Sequence, residues 1–323
     1  SRADTEHRAE HVKMSDATTL ALRGIVAADS AFHHNYVKSM QKELKQEGSR
    51  VLDIAGNQAK VSVDHTQFSS VAHNFIRQML LGLKSQEAAN DAIRSLNRGE
   101  KPMIAVENTM GSFLNEYVKD NGLRVGDSLG GYDWRKVLSR ALERSRYIVR
   151  QLPNGDKVKE YIPMGKLDPV SYEAYSKAQD IIDGLKIDTP VSPIDWMRQK
   201  IMNAGFTVAE ITGRDFSVDY SDPKNPKLSQ IEAREKKDKV HTTRKFNSGA
   251  LDALILNVAG STGISLHASE KFKDQRQRHM IVAQAAQDIN IFMQMLGRIH
   301  RTGQVSLPKY TLLSADLPAE IRP

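Results

Sequence analysis

The sequence contains no cysteine, and this absence excludes several kinds of site. Without a thiol, the 323 residues can hold no disulfide, no cysteine-ligated zinc and no cysteine nucleophile. The ten histidines form neither an H-E-x-x-H pattern nor a close H-x-H pair, so we expect no structural metal site. The chemistry of this chain must therefore come from other side chains.

Long hydrophobic runs are also missing. No run of about 18 apolar residues occurs, so the sequence predicts no membrane-spanning helix and no membrane partner. Residues 1–7 are charged, lack the apolar centre of a signal peptide and do not begin with methionine. We therefore expect a fragment or processed product of a longer protein, located in the cytoplasm or with the nucleoid.

A third absence concerns nucleotide binding. The pattern G-x-x-x-x-G-K-[ST] of a phosphate loop does not occur, and the Gly165–Lys166 pair is followed by leucine. Aspartate is never followed directly by glutamate, so the acidic pair that commonly holds Mg²⁺ is missing as well. These residues alone therefore do not form a complete ATP-hydrolysing motor.

The composition is that of a soluble globular protein, with 40% hydrophobic and 26% charged residues. The length suits one large domain or two small ones. A net charge of +7 and a pI of about 9.3 permit nucleic-acid binding without establishing it.

The most informative stretch is Q-M-L-G-R-I-H-R-T-G-Q, which begins at Gln294. If this stretch is helical, Arg298 and Arg301 lie on one face, because residues three apart are neighbours on a helix. Arginine carries a planar fork of donors that suits phosphate oxygens, and Gly297 allows a phosphate or a backbone to approach closely. A bare R-x-x-R is most simply a solvated helix face. The longer pattern therefore carries the prediction of a phosphate site.

An apolar segment of strand length, residues 251–258, precedes that stretch. It predicts a buried parallel strand and runs into the loop G-S-T-G-I-S-L-H-A, which contains Ser261, Thr262 and Gly263. Open α/β sheets place their ligands at the carboxyl ends of strands, where loop N–H groups can face a phosphate. A lone G-S-T-G is usually a plain turn, so its position after a strand is what matters.

Two other segments show a strand that ends in polar residues. Residues 101–109 predict a strand that ends at Asn108 and Thr109, on the same sheet edge as Ser261 and Thr262.

The second segment begins with S-P-I-D, which predicts a helix start. Ser192 is a suitable N-cap, Pro193 fits the first helical position, and Asp195 completes a pair similar to a capping box. The strand that follows this helix ends at T-G-R, residues 212–214.

Together these patterns resemble superfamily 2 helicases and translocases. The Q-x-x-G-R-x-x-R stretch looks like their motif VI, and its R-x-H-R-x-G-Q ending is similar to that of Swi/Snf-type remodellers. The G-S-T-G-I-S-L-H-A loop looks like motif V of the Strawberry-notch branch, and the S-P-I-D and T-G-R segments are similar to that branch too. We expect a bacterial or phage version. The resemblance covers about residues 100–315 and implies only the second RecA-like lobe.

The resemblance also implies roles for individual residues. Arg298 and Arg301 would be catalytic, reaching the γ-phosphate of ATP, which together with Mg²⁺ is bound mainly by a first lobe that this chain lacks. ATP binding would also involve Gln294, Gly297 and Gly263. The implied contacts to a nucleic-acid backbone are Asn108, Thr109, Thr212, Arg214, Ser261 and Thr262.

A basic segment, residues 133–150, predicts a helix that carries Arg140 and Arg144, followed by a hairpin with its turn at Asn154–Gly155. Two interpretations of its arginines remain open. They form either a solvated helix face or a contact to a nucleic-acid backbone, which needs only clustered positive charge.

The predicted fold class is α/β: a RecA-like lobe with a mainly parallel sheet flanked by helices, a helical N-terminal segment and an α/β insertion. We expect a mainly helical segment at residues 1–64, the helicase C-terminal lobe at residues 65–315, and a tail at residues 316–323. The insertion spans about residues 111–190.

Two hypotheses of function follow. In the first, the chain is the C-terminal lobe of an ATP-dependent helicase or translocase, with DNA or RNA and the N-terminal RecA-like lobe of the same parent protein as partners. In the second, it is a non-catalytic helicase-like module that binds nucleic acid or serves as a scaffold in a phage or mobile-element protein. The intact Q-x-x-G-R-x-x-R favours the first, because a scaffold needs neither arginine.

Overall fold

The computed structural model describes residues 5–52, 66–109, 111–231 and 239–315. In these residues the α-helices are α1 Thr5–Ala31, α2 Lys38–Gln46, α3 Thr66–Asn97, α4 Gly111–Asn121, α5 Trp134–Arg144, α6 Pro169–Asp183, α7 Pro193–Asn203, α8 Lys239–Ser248, α9 Val258–Ser261 and α10 Ile289–Leu296. A π-helical segment, Phe32–Val37, joins α1 to α2. Over the described ranges, no helix combines the length and hydrophobicity needed to cross a membrane. The predicted tail at residues 316–323 lies outside the described residues.

The described strands form three sheets. They are β1 Arg50–Leu52, β2 Lys101–Val106, β3 Tyr147–Gln151, β4 Lys157–Tyr161, β5 Val208–Ile211, β6 Phe216–Asp219, β7 Lys227–Gln230, β8 Ala253–Asn257, β9 Arg278–Val282 and β10 Lys309–Leu312. The largest sheet has the order β10–β9–β2–β8–β5, and every neighbouring pair in it is parallel. The predicted α/β class with a parallel sheet flanked by helices is confirmed.

The contacts divide the chain into two compact units, residues 76–132 with 189–323 and residues 1–75 with 133–188. We call them the sheet unit and the helical unit. The boundaries expected from the sequence, at residues 64 and 315 with an insertion at 111–190, remain predictions.

Both faces of the parallel sheet in the sheet unit are covered by apolar side chains. Successive residues of a strand point to opposite faces, so Ile104 and Val106 pack with α3 and α7, whereas Met103 and Ala105 pack on the other side. The side chains that cover the second face include Phe246 of α8 and residues of α10. Burial on both faces explains why β2, β8 and β9 have almost no polar residues in their interiors.

At the start of the strands, which we call the amino edge, charges are buried and paired. Lys101 and Arg278 begin β2 and β9, and both side chains contact Asp274 and the ring of Phe246. Burial lowers the pKa of Lys101 to about 8 and that of Arg278 to about 10, while the Asp274 carboxylate opposes both shifts. Burial by itself would raise the pKa of Asp274, but hydrogen bonds from Arg276 and Lys101 hold it below its usual value. This cluster of charges is compensated internally.

The helical unit combines helices with a small antiparallel sheet. Helix α1 packs against α6, where a side chain at Gly24 would meet Ala178 at 3.5 Å. Strand β3 pairs with β1 on one side and β4 on the other. The predicted hairpin is confirmed, because β3 and β4 pair around a turn that contains Asn154 and Gly155, whose φ is +90°. The predicted N-terminal helical segment is confirmed for residues 5–46.

The basic helix is shorter than the sequence indicated. Helix α5 ends at Arg144, and the chain turns into β3 three residues later, so residues 145–150 are not helical. Arg146 is buried in this turn, donates to the carbonyl of Ile162 at 3.2 Å, and stacks on the rings of Tyr161 and Tyr175. It therefore belongs to the packing of the helical unit and not to a basic surface.

Candidate functional site

The carboxyl edge of the parallel sheet brings three of the predicted polar segments together. Strands β2, β8 and β5 are direct neighbours, with Val106 opposite Asn257 and Ile211 opposite Leu256. The segments that leave these strands contain the predicted residues Asn108, Thr109, Thr212, Ser261, Thr262 and Gly263. The expectation that Asn108 and Thr109 share an edge with the G-S-T-G loop is confirmed.

The G-S-T-G loop, residues 260–263, is fixed by a short helix. Asn257 caps α9, since its Oδ1 accepts from the N–H of Gly260 at 2.7 Å. A Cβ on Gly260 would lie 2.2 Å from the carbonyl oxygen of Ile211. Only glycine permits this approach of the loop to β5, because the obstructing atom belongs to the backbone. Thr262 and Gly263 are exposed at the tip, where Gly263 has a φ of +79°.

A small cleft lies beside this loop. Its lining consists of Glu210, Ile211, Thr212, Gly213, Ile231, Lys239 and Gly260. The ammonium of Lys239, at the start of α8, donates to the carbonyl oxygen of Thr262 at 2.6 Å. Lys239 thus places a positive charge between the carboxyl ends of β5 and β8. The sequence analysis did not single out Lys239, since a lysine in a polar run is most simply a solvated residue.

Asn108 is held by a residue that the sequence analysis also missed. Gln284, which is buried and follows β9, accepts from the N–H groups of Glu107 and Asn108 at 3.1 and 2.9 Å. Its amide donates to the backbone of Arg77 on α3, and Arg77 forms an ion pair with Glu107. The sequence signal that could have identified Gln284 is a polar residue shortly after a buried strand. Gln284 therefore connects the residues that follow β9 to those that follow β2.

Arg214, predicted to contact nucleic acid, is enclosed in an ion-pair network. Its side chain is 1% exposed and donates to Asp195 and to Glu210, with 2.9 Å between Nε and Glu210 Oε1. Thr212 also donates to Glu210, at 2.6 Å. A guanidinium with both carboxylates inside the protein has no free donor face for a phosphate. The placement of Arg214 therefore supports a structural role, whereas the role expected for Thr212 remains a prediction.

The same network corrects the predicted helix cap. The Ser192 side chain accepts no hydrogen bond from the backbone N–H groups in the first turn of α7. Its hydroxyl instead donates to the buried carboxylate of Asp195 at 2.6 Å, and Asp195 also accepts from the N–H of Val218 at 2.7 Å. The sequence pattern of a capping box cannot distinguish a cap from this network, because both need a hydroxyl and a carboxylate three residues apart.

The charges of this network are mutually stabilised. Burial would raise the pKa of Glu210, but the adjacent guanidinium of Arg214 holds it below its usual value. Burial would lower the pKa of Arg214, and the carboxylates of Asp195 and Glu210 raise it instead. Glu210 and Arg214 are therefore both charged at neutral pH, and each stabilises the charge of the other.

The predicted arginines lie after α10 and not on it. Asp288 caps the helix start, with its Oδ1 2.7 Å from the N–H of Asn290, and the helix ends at Leu296. Gly297 is its C-cap, Arg298 lies in the following turn, and Arg301 lies outside any helix. The expectation that both arginines share one helix face is therefore wrong. Gln294 is on the exposed side of the last helical turn.

A backbone ladder instead positions the arginine segment, which we define as residues 297–305. The N–H of Leu266 donates to the carbonyl of Arg298 at 3.0 Å, and the N–H of Val305 donates to the carbonyl of Ala268 at 2.8 Å. Next to the second of these bonds, Ser269 and Gln304 form an antiparallel bridge. The arginine segment is thus attached to residues 266–270, which continue directly from the G-S-T-G loop.

The two arginines carry positive charge that no carboxylate compensates among the described residues. Arg298 is half-buried, and its Nε is buried without a hydrogen-bond partner there. The side chain of Arg301 is exposed, and its backbone N–H donates to the side chain of Gln304 at 3.1 Å. Such a pair of guanidiniums suits an external anion with several oxygens.

The other predicted basic residues belong to the helical unit. Arg140 is half-buried and Arg144 is exposed on α5, and both have interactions within the protein. Arg135, on the same helix, pairs with Asp133 at 2.8 Å. Their role in nucleic-acid binding remains a prediction. In the described parts of the chain, no group of three histidine, aspartate or glutamate side chains is placed to hold a metal ion.

The C-terminal part of the chain matches a known family. Residues 196–323 match the helicase C-terminal family described as the C-terminal domain on Strawberry notch homologue. This region contains β5, β8, β9, β10 and the arginine segment. It is therefore similar to the helicase-type C-terminal domain of Strawberry notch proteins.

Individual proteins show the same likeness. The protein strawberry notch of Drosophila melanogaster is 33% identical over 121 residues, which cover 36% of this chain and 7% of that protein. Protein FORGETTER 1 of Arabidopsis thaliana is 29% identical over 181 residues, which cover 52% of this chain and 14% of that protein. Human strawberry notch homolog 1 is 28% identical over 167 residues, which cover 47% of this chain and 12% of that protein. The match thus spans less than a sixth of each relative. No solved structure gives a significant match.

The buried network at Arg214 leads to a prediction of stability. Arg214→Met should lower the free energy of unfolding by about 3–5 kcal/mol, because two buried carboxylates lose their counter-charge. Since Arg214 lowers the folded-state pKa of Glu210, this loss should be full above the unfolded glutamate pKa of about 4.3 and shrink as the pH falls below it. Urea unfolding at several pH values measures both effects.

A matched control is Arg94→Met, because Arg94 is half-exposed and pairs with Glu87 at the surface of the same unit. It should cost less than about 1 kcal/mol. Equal losses for the two variants would show that the Arg214 network does not stabilise the sheet unit.

The contact at Gly260 leads to a second prediction. Gly260→Ala should destabilise the protein by about 1–3 kcal/mol or more, since the added methyl meets the backbone of Ile211. Gly131→Ala is the control, because a Cβ there meets no atom within 4 Å, and it should change stability by less than about 0.5 kcal/mol. The urea midpoints of the two variants are compared, and coincident midpoints would rule out the close approach.

Proposed function

We propose that this chain supplies the second RecA-like lobe of an ATP-dependent nucleic-acid helicase or translocase. The observation that carries the proposal is the pair Arg298 and Arg301, two cations without a carboxylate partner in the described chain. They lie on a segment that is hydrogen-bonded to the loop leaving β8. The similarity of residues 196–323 to the C-terminal domain of Strawberry notch homologues supports the same proposal.

ATP would be bound mainly by a first RecA-like lobe that carries the phosphate loop, because this sequence has none. In this chain, Arg298 and Arg301 would face the γ-phosphate, with Gln294, Gly297 and Gly263 nearby. Mg²⁺ belongs to that first lobe in this proposal, where it would neutralise charge on the phosphates. The described residues here include no metal-binding group, so no step is assigned to the ion on this chain.

The two guanidiniums have a defined chemical task. In phosphoryl transfer, negative charge spreads over the equatorial oxygens of the transferred group, and catalysis depends on positioning and electrostatic stabilisation. The half-buried position of Arg298 reduces screening by water, and exposed Arg301 can reach a phosphate on another lobe. Both side chains can therefore act when the lobes close.

Nucleic acid would run along the carboxyl edge of the sheet. Asn108, Thr109, Thr212, Ser261 and Thr262 provide amide and hydroxyl groups there, and Lys239 adds a positive charge. Neutral donors of this kind hold the sugar–phosphate backbone without reading bases. We propose DNA or RNA as the partner, contacted also by Arg140 and Arg144 of α5, in a protein of the cytoplasm or nucleoid.

The alternative function is a non-catalytic helicase-like module that binds nucleic acid or serves as a scaffold. Such a module would need neither Arg298 nor Arg301. The uncompensated charge of both arginines favours the catalytic proposal, because an unpaired, partly buried guanidinium is costly unless it has a ligand. The following experiment distinguishes the two functions by the rate of ATP hydrolysis.

Arg301→Ala, in a protein that joins this chain to its phosphate-loop lobe, should lower nucleic-acid-stimulated ATP hydrolysis by at least about 10²-fold. Lysine should not restore the rate, because it lacks the planar fork of donors. Nucleic-acid affinity should stay the same, since Arg301 is not part of the core. Steady-state ATPase rates and fluorescence anisotropy measure the two properties.

Arg124→Ala is the matched control, because Arg124 is an exposed arginine of the same unit. It should leave hydrolysis within about twofold of the wild type, as expected for a surface residue. Normal hydrolysis by Arg301→Ala would support the non-catalytic alternative. Robust turnover by the 323-residue chain alone would also contradict the proposal.

The basic residues of α5 lead to a prediction of salt-dependent binding. Changing Lys136, Arg140 and Arg144 together to glutamate should weaken binding to single-stranded DNA and RNA. The slope of log affinity against log salt should become shallower by about 2, because each phosphate contact on a single strand releases about 0.7 counterions. Titrations at several salt concentrations provide the slope.

The control replaces Lys38, Lys42 and Lys45, which lie on α2 of the same unit, with glutamate. It makes the same change in net charge. If both triple variants lose affinity equally, the effect comes from overall charge and α5 is not a contact surface.

A further inference from the structure

The small antiparallel sheet of the helical unit has two chemically different faces. Directly opposite residues of antiparallel strands point to the same face, so the register assigns each side chain of β1, β3 and β4 to one of them. On one face Val51 and Ile148 are buried, and Glu160 pairs with Arg150 at 3.8 Å. Since α2 also packs against β1, this face belongs to the interior of the unit.

The other face is largely open. Its side chains form three rows across the sheet, which are Tyr147 and Tyr161, then Leu52, Val149 and Lys159, and last Arg50, Gln151 and Lys157. Leu52 is the buried member of this set, and the other side chains are partly or fully exposed. We call this set of residues the tyrosine face.

The tyrosine face carries positive charge that its own strands do not compensate. Glu160 is the one carboxylate in β1, β3 and β4, and it lies on the opposite face. Arg50, Lys157 and Lys159 are exposed, and none of them forms an ion pair with a described residue. Clustered cations of this kind attract a phosphate backbone without reading its bases.

The two tyrosine rings lie side by side at one end of this face. Their centres are 5.0 Å apart, and their planes are inclined by 47°. Tyr161 is held by the unit itself, because the guanidinium of Arg146 lies 4.9 Å from its ring centre and its hydroxyl donates to Glu143 at 3.3 Å. Tyr147 has a different neighbour, the ammonium of Lys159, which lies 4.6 Å from its ring centre.

The contact between Lys159 and Tyr147 is one that a nucleotide can replace. An ammonium over an exposed ring is held weakly, and lysine has a long, flexible side chain. Lys159 can therefore turn to a phosphate while a base stacks on the ring of Tyr147. The ring that supports this stack from the side, Tyr161, need not move.

We propose that the tyrosine face binds single-stranded nucleic acid, with a base stacked on Tyr147 and the neighbouring phosphates on Lys159, Lys157 and Arg50. The inference rests on the proposed function only in that nucleic acid is the partner, and it requires neither ATP nor Arg301. A duplex fits this site poorly, because its bases are already stacked inside the double helix. The first and third rows are about 14 Å apart, since a strand rises about 3.4 Å per residue, so the site needs a strand of several nucleotides.

The contact to bases is tested with two labelled strands of about 15 nucleotides, one of thymidines and one abasic, which carry the same phosphates. Tyr147→Leu in the 323-residue chain should weaken binding of the thymidine strand by at least about fivefold, because a stacked base is lost. The same variant should change the affinity for the abasic strand by less than about twofold, because the phosphate contacts remain. Fluorescence anisotropy at one salt concentration provides the dissociation constants.

Two variants serve as controls for this measurement. Tyr147→Phe keeps the ring and should bind both strands like the wild type. Tyr172→Leu removes an exposed tyrosine of the same unit outside the tyrosine face, and it should also have no effect. A variant that folds incorrectly would lose affinity for both strands, so a loss confined to the thymidine strand reports stacking and not folding.

The phosphate contacts are tested by changing Lys157 and Lys159 together to glutamine. The slope of log affinity against log salt should become shallower by about 1.4 for both strands, because two contacts each release about 0.7 counterions. Changing Lys42 and Lys45 of α2 to glutamine makes the same change in net charge outside the tyrosine face, and it should leave the slope unchanged.

Three results would overturn the inference. They are equal affinity of the wild type for the thymidine and abasic strands, an equal effect of Tyr147→Leu on both, and equal slopes for the two lysine pairs. The proposed function would stand in each case, because its contacts at the carboxyl edge and on α5 involve only the phosphate backbone. Conversely, normal ATP hydrolysis by Arg301→Ala would contradict the proposed function and leave the tyrosine face unaffected, since the binding measurements contain no ATP.

Discussion

Burial on both faces of a parallel sheet is the constraint from which the rest of the sheet unit follows. Every residue of β8 and β9 is buried, so these strands can carry polar groups only near their ends. The helices α3, α7, α8 and α10 supply the apolar cover. The charged and hydrogen-bonding side chains of these two strands consequently lie near their ends.

The ion pairs at the two edges of the sheet are compensated inside the protein, whereas the charges of the arginine segment are not. At the amino edge, Lys101 and Arg278 surround the carboxylate of Asp274, and each group is stabilised by the others. At the carboxyl edge, Arg214 is satisfied by carboxylates in the same manner. Arg298 and Arg301, on the arginine segment after α10, have no carboxylate partner within the described chain. Ion pairs inside the protein belong to the fold, whereas cations without an internal partner are available to bind an external anion. This contrast, more than the number of arginines, supports the proposed role of Arg298 and Arg301.

Sequence patterns predicted the parts of this arrangement that depend on neighbouring residues. The buried strand β8, the loop after it and the shared edge with β2 follow from apolar runs and the positions of their polar ends. Long-range partners could not be predicted. Nothing next to Arg214 in the sequence reveals that it pairs with Asp195 of α7. Gln284 likewise gives no local sign that it binds the N–H group of Asn108. The end of α10 was missed because Gly297 was interpreted as a site of close approach.

The early end of α10 changes how the two arginines can work together. On a continuous helix their spacing would be fixed by the helical repeat. In the observed structure, the backbone bonds from Leu266 and Val305 fix it instead, and both involve the loop that leaves β8. The position of Arg301 relative to Arg298 therefore depends on that loop, which also carries the groups proposed to meet nucleic acid. A short backbone ladder thus connects the two proposed sites without a conformational change of the sheet, and coupling between ATP and nucleic acid requires only that the loop has two positions.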